Sequence, residues 1–315
     1  MQDYPFFSVI IPVKNEAEIL KKCLNSLLNL DYPKNRLEII IADGLSTDNT
    51  KEVAESFGAK VVRNEKEVVV SGRNVGFEVA QGDLIAFTDA DCTFSKFWLK
   101  NSLKYFRDPR VAGIGGPTIL PEEATVFEKA VDCLFEIAEL FSATSHRKNI
   151  DLFRETEDLP GCNAIYKREV LKKVMPVEEN FLTAEDVWMN YCIKKLGYKF
   201  VYAGDVLVWH HRRSSPKKFL RQIYRFSIGR LQVGKRNSNL ISKWHIIVGS
   251  GLLFLVGFFC FFWITIFLLF LFSLSKKKSF YFFLNFLLVV FIFLLGWSLG
   301  FWRELLFPLK DIKGR

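Results

Sequence analysis

Cysteine is scarce. The six residues Cys23, Cys92, Cys133, Cys162, Cys192 and Cys260 form no C-x-x-C pair and no zinc-finger spacing, so they read as reduced thiols rather than a disulfide or zinc framework. The N-terminal stretch MQDYPFFSVIIPV lacks a basic n-region and a small-residue cleavage site. Its apolar run is too short for a signal peptide, and the first part of the chain is expected in the cytoplasm. Acidic residues almost vanish from the last third: residues 211–315 hold 17 Lys/Arg and 2 Asp/Glu, against 26 and 32 before them. Charge of either sign is absent from the 29 residues 246–274 and from the 23 residues 280–302. Each run exceeds the ~20 residues that cross a bilayer core. The net charge of +9 therefore sits beside membrane-like sequence. Anionic lipid is the expected counterpart, and no nucleic acid is.

These absences divide the 315 residues. Two membrane spans are expected, at about 246–274 and 280–302, with Trp244, Trp297 and Trp302 near their ends as interfacial aromatics. Two spans put both chain ends on one side. The Lys276-Lys277-Lys278 loop opposes the positive-inside tendency. Eight basic residues in 217–243 and four in the tail outweigh it, so both ends are expected in the cytoplasm. The segment 216–244 reads as a basic amphipathic helix lying at the interface. A short basic tail, 304–315, ends the chain.

What is present in residues 1–90 is an α/β alternation. Strands are expected at Phe7–Val13, Leu37–Ala42, Lys60–Arg63 and Asp83–Phe87. Helices are expected at Glu16–Leu30, Asp48–Phe57 and Gly72–Ala80. Such alternation implies a parallel, doubly wound sheet, which binds ligands at the carboxyl ends of its strands. Three polar clusters fall there: Lys14-Asn15-Glu16, Asp43-Gly44-Leu45-Ser46 and Asp89-Ala90-Asp91. Further on, residues 122–145 read as a helix with an apolar stripe, Phe127, Val131, Leu134, Phe135, Ala138 and Phe141. Core packing is the favoured reading of that stripe, lipid contact the alternative. Residues 146–160 read as a polar loop.

Asp89 and Asp91 carry the most chemistry. In an extended segment a D-x-D places both side chains on one side. Two carboxylates so placed suit Mg²⁺ or Mn²⁺, hard ions that bridge to phosphates. Asp43 ends a strand at the mouth of the sheet, where it can accept a hydrogen bond from a nucleobase N–H. Asp48 reads as a helix-capping corner residue. Glu185-Asp186 lies 94 residues after Asp91 at the expected start of a helix, 186–196. Acids there also favour the helix dipole. His210 and His211 end an apolar strand, 206–209, and alternation turns only one of them inward, with His210 preferred.

VIIPVKNE, IIADGLSTDNT, GRNVGFEVAQGDLIAFTDADC and TAEDVWMNYCIKKLGY together resemble the family 2 glycosyltransferases of the GT-A fold, in order and spacing, over about residues 5–215. The resemblance implies a Rossmann-like doubly wound mixed sheet in a catalytic domain at 1–215. It implies Pro12, Asn15, Glu16, Asp43, Arg73 and Asp89 around the donor nucleotide, and a divalent cation on Asp89 and Asp91, with His210 on the metal or diphosphate. Asp186 would be the general base of an inverting displacement, with Glu185 orienting it. Gly161 and Asn163 would touch the acceptor or donor sugar. Gln222 and Arg225 resemble the Q-x-x-R-W element of processive synthases, with Phe226 at the Trp position. The donor expected is a nucleotide-diphosphosugar, a UDP-sugar by preference, and the acceptor is lipid-linked. The enzyme would sit in the cell membrane, multi-pass, with its catalytic domain cytoplasmic. Two alternatives are a processive polysaccharide synthase and a catalytically inert nucleotide-binding membrane subunit.

Overall fold

The computed structural model describes residues 4–139, 150, 152–251 and 280–309. Two compact units emerge. The first comprises residues 1–121, 142–210 and 311–315, the second 122–141 and 211–310.

The first unit is built on an eight-stranded sheet among the described residues. Strands β1 (Phe7–Val13), β2 (Leu37–Asp43), β3 (Lys60–Arg63) and β4 (Leu84–Phe87) are interleaved with α1 (Ala17–Leu28), α2 (Thr50–Ser56) and α3 (Val69–Val79). After them come β5 (Cys92–Phe94), α4 (Trp98–Ser102), β6 (Val111–Gly115) and β7 (Thr118–Ile119). The rest of the unit holds β8 (Phe153–Thr156), β9 (Ala164–Lys167), α6 (Arg168–Leu171), α7 (Glu185–Lys195), β10 (Lys199–Ala203) and β11 (Val208–His210). The sheet order is β3-β2-β1-β4-β9-β6-β10-β8, with a small β5-β11-β7 sheet beside it.

Strands β3, β2, β1 and β4 run parallel. Their apolar residues have no polar alternation because both faces are covered: Val9, Ile10 and Ile11 are all fully buried. The parallel reading of residues 1–90 holds, and beyond β4 the sheet is mixed, as the resemblance implied. β9 is antiparallel to both β4 and β6, and β8 is antiparallel to β10. The polar loop expected at 146–160 contains β8. It is an edge strand whose Phe153, Arg154 and Glu155 are exposed and only Thr156 buried, so backbone pairing, not a hydrophobic pattern, makes it a strand. β6 (VAGIG) also escaped the reading. Its Gly113 makes room for Tyr166, whose Cδ1 would lie 2.7 Å from an added Cβ. α3 begins three residues earlier than expected and packs on β1. An added Cβ at Gly76 would meet Ile10 Cγ2 at 2.4 Å, and one at Gly72 would meet Pro12 Cβ at 2.9 Å. The two glycines let this helix approach the sheet, and Arg73 lies between them.

The second unit holds α5 (Val126–Glu139), α8 (Pro216–Arg236), α9 (Lys243–Gly249) and a long apolar C-terminal helix, Phe280–Leu306. Phe127, Val131 and Leu134 of α5 join Phe219, Ile223, Val289 and Trp297 in one buried cluster, so the α5 stripe is core. Ala138 and Phe141 lie outside the residues whose side chains are described. The C-terminal helix carries Gly296 and Gly300, a G-x-x-x-G pair. A Cβ on Gly300 would sit 2.3 Å from Tyr224 O, and Ser227 Oγ donates to Trp297 O at 2.7 Å. Thus α8 packs one face of its apolar residues against the C-terminal helix. Glu304, an acid at the end of this helix, is buried and paired with Lys235 at 2.8 Å.

Among the described residues one helix, Tyr281–Leu306, is long and apolar enough to cross a membrane, with a mean hydropathy of 2.5. It coincides with the expected second span. Of the first, 252–274 lies outside the described residues, as does the Lys276–Lys278 loop. The part that is described does not begin an unbroken helix at 246. α9 ends at Gly249, and Gly251 has φ +75°, a left-handed backbone that glycine permits.

Candidate active site

Register brings the three polar clusters together. Val13 pairs with Asp43 across β1 and β2, and Ile10 pairs with Phe87 across β1 and β4. The ends are stitched by hydrogen bonds. Asn15 N–H donates to Ser46 Oγ, and Thr47 N–H to Asn15 Oδ1, both at 2.8 Å. Glu16 N–H donates to Thr50 Oγ1 at 3.0 Å, and Ala17 N–H to Asp48 Oδ2 at 3.3 Å. Asp48 is therefore a corner residue. Asn15 and Leu45 have φ of 54° and 59°, strained values that single out this rim. Asp43 accepts the Ser46 N–H at 3.1 Å through Oδ2, whereas its Oδ1 is buried with no hydrogen-bond partner. A buried acceptor without a donor is costly, and a ligand N–H would satisfy it. Pro12, one residue before the end of β1, packs beneath Gly72.

Arg73 is the hub of the other end. It is buried, and its guanidinium donates to Glu185 Oε1 at 2.8 Å and to Gly161 O at 2.9 Å, with Asp89 Oδ1 at 3.8 Å. It also lies over the Phe87 ring, 5.5 Å from its centroid. Burial opposes its charge, but Glu185, Asp89 and Asp186 outweigh that and raise its pKa. The resemblance implied an arginine directed at the donor. Here two of its nitrogens are engaged by protein, and Nε is left without a partner.

Glu185 is buried and engaged by Arg73, while Asp186, half-buried in the first helical turn, accepts the Val187 N–H at 2.9 Å. The adjoining Ala184 has φ 65°. A Cβ on Gly161 would meet Arg73 Nη2 at 2.7 Å and Asp186 Oδ2 at 2.9 Å. Gly161 thus lets Arg73 and Asp186 share one corner. Burial raises the Glu185 carboxyl to about 7 against the pull of Arg73. Burial likewise raises Asp89 to about 6.

Asp89, Asp91 and His210 present ligand atoms within 4.8 Å of one another. His210 Nε2 lies 3.1 Å from Asp91 Oδ1. Two carboxylates and an imidazole fit a hard or borderline divalent cation. Burial disfavours a charged His210, but the neighbouring Cys162 and Asp91 outweigh it and push its pKa up to about 10. His211 pairs with Glu128 at 2.9 Å within the second unit.

Asn163 does not face a ligand. It is fully buried, its Oδ1 accepts from Trp98 Nε1 at 2.9 Å, and its amide donates to Val206 O at 2.8 Å and Pro117 O at 3.1 Å. It pins the loop rather than touching a sugar. Thr88 Oγ donates to Cys162 O at 2.8 Å, holding that loop to the end of β4. Sequence reasoning passed over Thr88, whose only signal was its place between the strand and the D-x-D. Gln222 and Arg225 lie on α8 in the second unit, and Gln222 Oε1 is buried with no hydrogen-bond partner. A cleft of about 700 Å³ lined by residues such as Asp83, Lys104 and Arg168 contains none of these site residues.

A parallel-rich mixed sheet with acids gathered at its strand ends is the architecture of the GT-A fold. The chain belongs to glycosyl transferase family 2, whose profile matches residues 8–175. It is 29% identical over 238 residues to "Glycosyltransferase AglE" of Haloferax volcanii, covering 73% of this chain and 74% of that protein. It is 27% identical over 253 residues to a "Dolichyl N-acetyl-alpha-D-glucosaminyl phosphate 3-beta-D-2,3-diacetamido-2,3-dideoxy-beta-D-glucuronosyltransferase" of Methanococcus voltae, covering 75% and 76%. The fold matches the mannosyltransferase PcManGT of Pyrobaculum calidifontis, solved with GDP-Man and Mn²⁺. The TM-score is 0.58 and the identity 20%, over 74% of this chain and 65% of that one.

Proposed function

We propose that the protein transfers a sugar from a nucleotide-diphosphosugar to a lipid-linked acceptor at the cytoplasmic membrane face, with inversion at the anomeric carbon. Residues 1–215 are the catalytic domain, and the C-terminal apolar segments, the helix at 280–302 foremost, anchor it. The observation that carries this reading is the Arg73 bridge. One guanidinium reaches Glu185, Gly161 and Asp89, and so ties the metal end of the site to the Glu185-Asp186 end.

Asp89 and Asp91, with His210, hold a divalent cation, Mn²⁺ or Mg²⁺. When bound, the cation neutralises charge on the departing diphosphate. Asp43 takes the base. Its single free oxygen suits the one N–H of uracil, whereas guanine offers two adjacent donor groups, and this favours a UDP-sugar. Pro12, Asn15 and Glu16 line the nucleotide rim. Asp186 removes the proton of the acceptor hydroxyl, and Glu185, held by Arg73, keeps it in place. Gly161 touches the sugar through its backbone, beside Asp186. Gln222 and Arg225 serve the acceptor. The name of the Methanococcus voltae relative specifies a dolichyl-phosphate-linked acceptor, which supports a polyprenyl-linked one here.

The test is a panel of UDP-, GDP- and dTDP-sugars with total membrane lipid, with and without Mn²⁺. Nucleotide release and a single-sugar lipid product from a UDP-sugar are expected. A ladder of products would point to a processive synthase. No turnover together with no metal-dependent nucleotide binding would overturn the enzymatic reading.

A further inference from the structure

His210 has two ring nitrogens and two sets of neighbours. Nε2 faces Asp91, at 3.1 Å. Nδ1 lies 3.7 Å from Cys162 Sγ, and the ligand atoms of Cys92, Cys162 and His210 lie within 4.8 Å of one another. Three separate elements fix this second set. Cys92 and His210 stand directly opposite each other in the antiparallel β5–β11 pair. Cys162 is held from β4 by the Thr88 hydroxyl. Both cysteines are buried, Cys92 completely.

We infer that Cys92, Cys162 and His210 form a second cation site, selective for a thiophilic d¹⁰ ion of the zinc class. Two sulfurs and an imidazole nitrogen are soft and borderline donors, poor for Mg²⁺ or Mn²⁺ and good for Zn²⁺ or Cd²⁺. Zinc bond lengths to sulfur and nitrogen give a tetrahedral S···N edge of about 3.6 Å, against the 3.7 Å between Cys162 and His210. The two thiols, and the Nδ1–H of a protonated His210, release their protons to solvent as the ion binds.

The consequence follows from the shared ring. With a soft ion on Nδ1, the proton of neutral His210 sits on Nε2 and is donated to Asp91. That is the carboxylate–histidine–zinc arrangement, in which the carboxylate serves as an outer hydrogen-bond acceptor. Both His210 and Asp91 are then withdrawn from the Asp89–Asp91–His210 set. Zinc at one site therefore antagonises Mn²⁺ at the other. The antagonism rests on the proposed metal role of Asp89 and Asp91, whereas the soft-ion site stands without it.

The experiment uses the full chain in detergent, freed of metal and kept reduced. Zinc X-ray absorption at one equivalent should show two sulfur neighbours at about 2.3 Å. A shell of oxygen and nitrogen alone overturns the site. Titration with Cd²⁺ should give a thiolate-to-metal absorption band that C92S/C162S abolishes and C192S retains. A band unchanged in the double variant also overturns it. The X-ray measurement uses the unmodified protein, so misfolding of a variant cannot mask the answer. With Mn²⁺ saturating, stoichiometric Zn²⁺ should reduce sugar transfer at least about tenfold in the wild type. In C92S/C162S, referred to its own Mn²⁺ activity, it should not. Two sulfur neighbours without loss of transfer would keep the site and overturn the antagonism.

Discussion

Asp186 and Glu185 are neighbours in sequence with different surroundings, and the roles proposed for them rest on that difference. Glu185 is buried against Arg73, while Asp186 stays half-exposed beside Gly161. Asp186→Asn should lower kcat by about 10²–10⁴, the usual contribution of a general base, and leave donor affinity within about threefold. Calorimetric donor binding alongside initial rates checks this, and loss of donor binding would mean that Asp186 belongs to the nucleotide. Asp89 and Glu185 also make a pH prediction. Burial, the main cause for both, raises them from ordinary values of 3.8 and 4.5 to about 6 and about 7. Between those limits the folded protein holds protons that the unfolded chain has released. Their contribution to stability thus falls as pH rises from about 4 to about 7. On the proposed metal site, Mn²⁺ would bind the ionised Asp89 and should flatten that decline. Urea midpoints across this range, with and without Mn²⁺, measure it; identical slopes would remove Asp89 from the metal site.

At the scale of elements, what the sequence made legible was whatever had a pattern of its own. β1 and β3 were read to the residue, and β2, β4 and α1 to within two, because apolar runs and a 3.6-residue stripe mark them. The gathering of Asp43 and Asp89 at strand ends followed from that. β6 and β8 were missed because one is diluted by glycines that make room for Tyr166 and the other is an exposed edge. Arg73 was singled out through the family resemblance, but its Glu185 partner is 112 positions away, and no local signal encodes such a contact. Nor did the pattern reveal that Asn163 is consumed by Trp98, Pro117 and Val206. The glycines are the testable part of this packing. Gly76→Ala puts a methyl 2.4 Å from Ile10 Cγ2, and overpacking of this kind costs about 1–3 kcal/mol. A matching drop in the urea midpoint is expected, with weaker donor binding as α3 carries Arg73 away from the sheet. Unchanged stability would mean that α3 shifts without strain.

On the whole-molecule scale the question is what covers the C-terminal helix. One side is satisfied by protein: Val289, Ile292, Trp297 and Phe301 are buried, and Gly296 and Gly300 touch α8. The other side is no more polar. Tyr281, Leu284, Leu288, Phe291 and Leu299 are all exposed, recurring every three or four residues along one stripe, except for a gap of two turns before Leu299. A helix of a soluble protein turns a charged face outward, whereas this one is apolar all round, as a lipid-facing helix must be. A charge on the exposed stripe should therefore be costly in the bilayer and cheap in water. Phe291→Lys, near the middle of the helix, should cost about 2.5–3.5 kcal/mol of insertion and move the chain out of the alkali-resistant membrane fraction. Tyr281→Lys, at the helix end where a lysine reaches the headgroups, should leave it there. Wild-type protein recovered from the cytosolic fraction without detergent, or equal behaviour of the two variants, would mean that this stripe faces water or protein rather than lipid. The anchored, lipid-acceptor reading would then lose its physical basis.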